Sequence, residues 1–240
     1  MSSSPVRFIM TILIGFIIGA LYSPVLNAEI YPAANSLKKS ATVMLYLNGD
    51  NNLTHEVLYA LDMVETVGSS DDINLIALVD GRPGSGQPYG DAWNGSKLVY
   101  VTQDDQIGKI NSIVLQDLGE QDLGSPETLE NFIKKSLNFP ADRYIFCTFT
   151  HGRGIIDTGS LTMPGPHKSL AISVDETNDS QLNLAEFRLA VQRGLQGRKF
   201  DAMVFFSCLT NMIEVGYGLR DLTSYLIASQ DEIRIVNQPP

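Results

Sequence analysis

The predicted fold rests on two short apolar segments, Tyr144-Ile-Phe-Cys-Thr-Phe-Thr150 and Ala202-Met-Val-Phe-Phe-Ser207. His151 directly follows the first segment, and Cys208 directly follows the second. Apolar runs of this length between polar loops are typical of buried strands. If both are strands of one parallel sheet, the imidazole and the thiol lie at its carboxyl edge, where open α/β sheets bind their ligands.

The surrounding sequence indicates an α/β fold. Residues 42–47 and 73–79 are predicted strands, and the helix predicted between them has apolar residues at steps of three and four. This order implies a parallel pair of strands with a right-handed crossover. Other strands are expected at 97–101, 142–150, 170–174, 201–207 and 225–229, and helices at 54–67, 126–137, 182–195 and 211–222. Residues 103–124 are polar, and we expect them to be irregular around an apolar island at 113–115.

Composition is that of a globular protein. Of 240 residues, 44% are hydrophobic and 18% are charged, and the mean hydropathy is +0.02. A net charge of -10 with scattered Lys and Arg disfavours nucleic-acid binding. Neither His-x-x-x-His nor paired Cys spacing occurs, so the sequence predicts no metal site, and the Gly-rich residues 81–90 lack a phosphate-binding pattern.

The amino terminus differs from the rest of the chain. Residues 8–21 are apolar and uncharged and follow Arg7, which is typical of an export signal. Cleavage after Ala28 would release the protein to a secreted or periplasmic location, whereas an uncleaved segment at 8–22 would anchor it in the membrane. We therefore expect a signal or anchor at 1–28, a spacer at 29–40 and one folded domain at 41–240.

The pair at the strand ends indicates nucleophilic catalysis. Cys208 is a candidate nucleophile, and His151 titrates near neutral pH, so thiolate attack needs no metal or cofactor. A helix starting near Asn211 would favour the thiolate, and Gly152 can offer a backbone N–H to an oxyanion. Two alternatives remain open, namely that Cys208 is a small buried hydrophobic residue or forms a disulfide with Cys147.

At this point several blocks of the sequence resemble the clostripain family of cysteine peptidases, whose members share the caspase-like fold. The resemblance spans roughly residues 41–231. The blocks are Val43-Met-Leu-Tyr-Leu-Asn-Gly-Asp-Asn-Asn-Leu53, Asp80 after the second strand, His151-Gly152, Cys208-Leu-Thr-Asn-Met-Ile-Glu-Val-Gly-Tyr-Gly-Leu-Arg-Asp221, and Leu226-Ile-Ala-Ser-Gln-Asp231. The implied fold is α/β and caspase-like, with a mostly parallel central sheet flanked by helices on both faces.

The resemblance also implies roles for individual residues. Cys208 would attack the scissile carbonyl, His151 would transfer protons, and the backbone N–H groups of Gly152 and Cys208 would form the oxyanion hole. The family cleaves after Arg or Lys, some members depend on calcium, and many are cut between the His and the Cys, where Arg153 and Lys168 are candidate sites.

Two features depart from the family pattern. Where the family has Asp-Ala-Cys, this chain has Phe206-Ser207-Cys208, so an acid that helps to bind a basic P1 side chain is missing. Asp231 and Glu232, with Ser207, are the candidate substrate-binding residues. The chain also ends at Pro240, whereas family members commonly continue further.

We therefore expect an exported cysteine endopeptidase acting on peptides or proteins, with calcium as the one cofactor that the resemblance implies. The alternative is a weak or inactive homologue that binds peptides or proteins. A third interpretation, a flavodoxin-like domain for a small ligand, would place a phosphate or nucleotide at the turn formed by residues 48–52.

Overall fold

The computed structural model describes residues 37–82, 84, 89, 93–152 and 171–233. The described residues from 37 to 232 belong to one compact unit. The export segment at 1–28 and most of the spacer at 29–40 lie outside the described residues, as do Arg153 and Lys168. No helix in the described part of the chain is long and apolar enough to cross a membrane.

Thirteen elements follow one another along the described chain. The strands are β1 (Lys39–Gly49), β2 (Ile73–Gly81), β3 (Gly95–Tyr100), β4 (Ile113–Gly119), β5 (Ala141–Phe149), β6 (Ala171–Asp175), β7 (Ser180–Asn183), β8 (Phe200–Phe206) and β9 (Thr223–Ile227). The helices are α1 (Thr54–Glu65), α2 (Pro126–Ser136), α3 (Leu184–Leu195) and α4 (Ile213–Leu219).

Seven strands form the central sheet in the order β4-β3-β2-β1-β5-β8-β9. The five strands from β2 to β9 in this order are parallel to one another, whereas β3 pairs antiparallel with both β2 and β4. The predicted, mostly parallel sheet is therefore confirmed. Its carboxyl edge collects the loops that follow β1, β2, β5, β8 and β9.

Helices cover both faces of this sheet. Along β1, Met44 and Tyr46 belong to the main core cluster, which also contains the buried faces of α2, α3 and α4. Val43 and Leu45 alternate with them and point to the opposite face, where α1 packs against β1 and β2. Every residue of β1 from Ala41 onward is buried, as expected for a central strand covered on both sides.

The helix ends follow local sequence signals. Ser125 caps α2 by accepting a hydrogen bond from the Glu127 N–H, with Pro126 at the first helical position. Asn183 and Glu186 form a reciprocal capping box at the start of α3. Both helices begin within two residues of their predicted starts.

Three elements differ from the sequence-based expectation. β4 lies in the stretch predicted to be irregular, since this edge strand exposes Gln116 and Asp117 and therefore looks like a polar loop. β7 is a four-residue strand that pairs with β6 in a separate two-stranded sheet. α4 begins at Ile213 rather than at Asn211.

Candidate active site

The strand register places His151 and Cys208 at corresponding positions. Phe149 and Phe206 are paired at the ends of the adjacent parallel strands β5 and β8. His151 and Cys208 each follow two residues later. The structure therefore brings the two predicted residues to the same edge of the sheet on neighbouring strands, as the sequence predicts.

The loops that carry these residues touch through their backbones at Gly152. A Cβ added at Gly152 would lie 2.2 Å from the Cys208 carbonyl oxygen and 3.0 Å from the Cys208 nitrogen. The backbone of Gly152 does not occupy the left-handed region, so glycine is required here for space rather than for its φ angle. The predicted oxyanion donors, Gly152 and Cys208, thus lie next to each other.

The side chain of Asn52 contacts the imidazole of His151. His151 Nε2 lies 2.6 Å from Asn52 Oδ1, and Asn52 belongs to the turn after β1. This distance is that of a hydrogen bond, so the contact ties the imidazole ring to the turn after β1. The sequence-based reading missed this role, since it treated residues 48–52 as turn and cap residues.

Buried hydrogen bonds fix the turn that presents Asn52. The Asn48 amide donates to Ser173 Oγ at 2.7 Å and to the Val174 carbonyl at 3.0 Å, and the Asn51 amide donates to the same carbonyl at 2.9 Å. Asn48 and Asn51 are at most 1% exposed. These amides are occupied within the fold, so the turn does not offer them to a phosphate or nucleotide.

The two cysteines have different environments and do not form a disulfide with each other, so the predicted alternative of a disulfide between them is wrong. Cys147 is buried inside β5, and burial raises the pKa of its thiol to about 12. Cys208 is half-buried at the edge of the sheet. Cys208 is therefore the more accessible of the two thiols.

The backbone turns sharply directly after Cys208. Leu209 has a φ of 54°, a left-handed conformation that is uncommon for a residue with a branched side chain. Helix α4 has Met212 as its N-cap, four residues beyond Cys208. The thiol therefore lies outside the first turn of the helix, which does not support the predicted dipole effect on the thiolate.

The candidate substrate-binding residues lie beside this turn. The Leu209 N–H donates to the Asp231 carbonyl at 3.3 Å, so the loop after β9 packs against the residue next to the thiol. Asp231 and Glu232 are exposed, and the Asp231 carboxylate accepts the Glu232 N–H at 2.8 Å. Ser207 is buried at 2% exposure, which turns it toward the protein interior.

A cluster of acids that the sequence-based reading did not predict lies at the same edge. One carboxylate oxygen from each member lies within 4.8 Å of the others, and the members are Asp50, Asp80, Glu120 and Asp175. Burial raises the pKa of Asp80 to about 8, and neighbouring acids add to the effect. Asp50 follows β1, Asp80 lies near the end of β2 and Asp175 ends β6, whereas Glu120 follows β4, a strand that the sequence did not predict.

A profile of the Clostripain family matches residues 45–234 of the sequence. No curated protein matches it. A secreted C11 cysteine protease from Bacteroides thetaiotaomicron, in complex with an irreversible peptide inhibitor, is 22% identical with a TM-score of 0.59, covering 81% of this chain and 50% of that chain. A secreted C11 cysteine protease from the same organism, named iotapain, is 19% identical with a TM-score of 0.60. The match covers 82% of this chain and 54% of that chain.

An inactive zymogen C11 protease from Parabacteroides distasonis is 24% identical with a TM-score of 0.59, covering 83% of this chain and 51% of that chain. The chain thus spans about half the length of these solved structures. The predicted caspase-like fold is confirmed by these likenesses.

Proposed function

The chain belongs to the clostripain family of cysteine peptidases, and we propose that it hydrolyses peptide bonds with Cys208 as nucleophile and His151 as acid–base partner. The observation that carries this proposal is the register of β5 and β8, which places both residues two positions beyond a paired Phe149 and Phe206. The contact between Gly152 and the Cys208 backbone supports the same arrangement.

The proposed reaction begins with transfer of the Cys208 thiol proton to the His151 imidazole. The thiolate attacks the scissile carbonyl carbon, and the oxygen that becomes negative accepts hydrogen bonds from the Gly152 and Cys208 N–H groups. The C–N bond then breaks, and the imidazolium gives its proton to the leaving amine. A water molecule deprotonated by His151 cleaves the resulting thioester and regenerates the thiol.

The substrate is a peptide or protein, and we propose Asp231 as the acid that selects a basic P1 side chain. Phe206 replaces the acid that the family has before the nucleophile, and Asp231 is the exposed acid whose backbone contacts Leu209. A charge-assisted contact of this kind is worth about 1.5–3 kcal/mol.

A panel of fluorogenic peptides that differ only at P1 tests both the activity and this selectivity. We expect kcat/KM for Arg at P1 to exceed that for Leu, and Asp231→Asn to lower the Arg value by about 10- to 100-fold while leaving the Leu value within about twofold. Asp221→Asn is the control, since it removes an exposed acid at the far end of α4. Peptides that bind but stay intact under mass spectrometry would support the inactive, peptide-binding alternative instead.

Asn52 is proposed as a positioning residue that orients His151 through the 2.6 Å contact. We expect Asn52→Ala to lower kcat by about tenfold with little change in KM, because one neutral hydrogen bond that orients the ring is lost. Asn52→Asp keeps an acceptor, and its negative charge stabilises the imidazolium, so the acid limb of the pH–rate profile should move to higher pH. Asn138→Ala, at an exposed position before β5, is the control.

If Asn52→Ala and Asn138→Ala give the same kcat, Asn52 does not orient the imidazole. An unchanged pH profile in Asn52→Asp would also contradict the proposed contact.

We further propose that the protein is exported. The apolar residues 8–21 after Arg7 support this location, and two of the similar structures are described as secreted proteases. Fractionation of expressing cells, with mass spectrometry of the mature amino terminus, distinguishes cleavage after Ala28 from retention in the membrane.

A further inference from the structure

The acid cluster joins four separate parts of the fold. Asp50 follows β1, Asp80 lies in β2, Glu120 follows β4 and Asp175 ends β6. Asp50 and Asp80 are fully buried and Asp175 is 1% exposed, whereas Glu120 faces solvent. Three buried carboxylates that lie this close repel one another when they are ionised. A positive charge or protonation must offset this repulsion.

Several oxygens of the cluster have no partner within the protein. Both carboxylate oxygens of Asp80 and Oδ2 of Asp50 are buried and accept no hydrogen bond of normal geometry from the described residues. The Ser96 hydroxyl is near enough to Asp80 to lower its pKa, but burial outweighs this effect. None of the ion pairs among residues 37–82, 93–152 and 171–233 includes a member of the cluster. Buried carboxylates are normally paired with a cation or hydrogen-bonded, so these oxygens are suited to binding a cation.

The other oxygens are held in place by neighbours. Asp175 accepts hydrogen bonds from the Leu123 and Asn178 N–H groups at 2.8 and 2.9 Å. Thr177 Oγ1 donates to Asp50 Oδ1 at 2.9 Å, and the Asn178 amide donates to Glu120 at 3.0 Å. Outer partners of this kind orient the ligands of protein metal sites.

We propose that Asp50, Asp80, Glu120 and Asp175 bind one calcium ion. All four donors are carboxylate oxygens, which select a hard cation over zinc or copper. Oxygens that lie within 4.8 Å of one another fit around one ion at the Ca²⁺–O distance of about 2.4 Å. A mostly buried set of protein ligands favours Ca²⁺ over Mg²⁺, because Mg²⁺ retains most of its water.

The ion would connect this site to the catalytic pair, and that part of the inference rests on the proposed function. Asp50 stands two residues before Asn52, whose side chain contacts His151. The Asp50 carbonyl also accepts the Glu176 N–H at 2.8 Å, so the turn after β1 is tied to the segment after β6. Neutralising the cluster would therefore hold the turn in the position that orients the imidazole.

Calcium binding is tested on full-length Cys208→Ala protein, which lacks the nucleophile and cannot cut itself. After treatment with EDTA, we expect isothermal titration to give one Ca²⁺ per chain. At about 100 times the dissociation constant, the thermal midpoint should rise by about 5–10 °C. Mg²⁺ at the same concentration should give less than about a third of that rise.

Three further variants, made in the same background, locate the site. Asp80→Asn should raise the midpoint of the metal-free protein, because one of four repelling acids is removed, and it should abolish the response to Ca²⁺. Glu120→Gln, which changes an exposed residue, should weaken binding by about tenfold or more. Asp117→Asn, an exposed acid on β4, should bind Ca²⁺ like the parent protein.

An absence of both binding heat and thermal shift in the parent protein would overturn the calcium site. A full response that survives in both Asp80→Asn and Glu120→Gln would also overturn it, because the ion would then bind elsewhere. Neither result depends on peptide cleavage, so failure of this inference is distinguishable from failure of the proposed activity.

Discussion

We expect Cys208→Ala to lower kcat/KM for peptide hydrolysis by about 10⁴-fold or more, because the substitution removes the atom that forms the acyl intermediate. Cys208 is half-buried at the edge of the sheet, beside the loop that carries His151. The variant should fold like the parent protein, since Ala is smaller than Cys and the site is open to solvent.

Cys147→Ala is the matched control. Cys147 is buried, and its thiol has a pKa raised to about 12, so it stays protonated at neutral pH. We expect kcat/KM within about twofold of the parent and a loss of about 1 kcal/mol in the free energy of unfolding, from the small cavity left in β5.

A peptide probe with a thiol-reactive group, read by intact mass and peptide mapping, measures which thiol reacts. One adduct is expected on the parent and on Cys147→Ala, and none on Cys208→Ala. An adduct that persists on Cys208→Ala, or hydrolysis that survives in this variant, would contradict the assignment of the nucleophile.

Most of the central sheet was predictable because its buried strands have continuous apolar sequences. β5 and β8 lie within one residue of the predicted ranges 142–150 and 201–207. β4 and β7 could not be predicted in the same way, since edge and isolated strands expose polar side chains and lose the apolar signal. Their existence depends on pairing with β3 and β6, which sequence periodicity does not report.

The sequence predicted only those residues of the candidate site that directly follow an apolar run. His151 and Cys208 each follow an apolar run directly, and the parallel sheet then places them together. The contact between Asn52 and His151 joins residues 99 positions apart, and the acid cluster includes Glu120, which follows a strand that the sequence did not predict. Contacts between residues that are distant in the sequence depend on tertiary packing. Local sequence patterns therefore indicate the single residues but not which of them lie together.

Gly152→Ala is expected to lower kcat/KM by about 10²- to 10³-fold, although it adds a single methyl group. The new Cβ would lie 2.2 Å from the Cys208 carbonyl oxygen and 3.0 Å from the Ser207 Cβ, so the loops after β5 and β8 must move apart. That movement displaces the Gly152 N–H from the oxyanion position, and loss of one such donor costs a factor of this size. Overpacking should also lower the free energy of unfolding by about 1–3 kcal/mol.

Gly216→Ala is the control that separates crowding from the loss of a glycine. A Cβ at Gly216 meets no atom within 4 Å, and the residue lies inside α4, so Ala there should stabilise the protein by about 0.5–1 kcal/mol. Urea unfolding should thus show lower stability for Gly152→Ala and higher stability for Gly216→Ala. Steady-state kinetics measure kcat/KM of the two variants. If Gly152→Ala retains kcat/KM within about threefold of the parent, the two loops are not packed as closely as the proposed oxyanion hole requires.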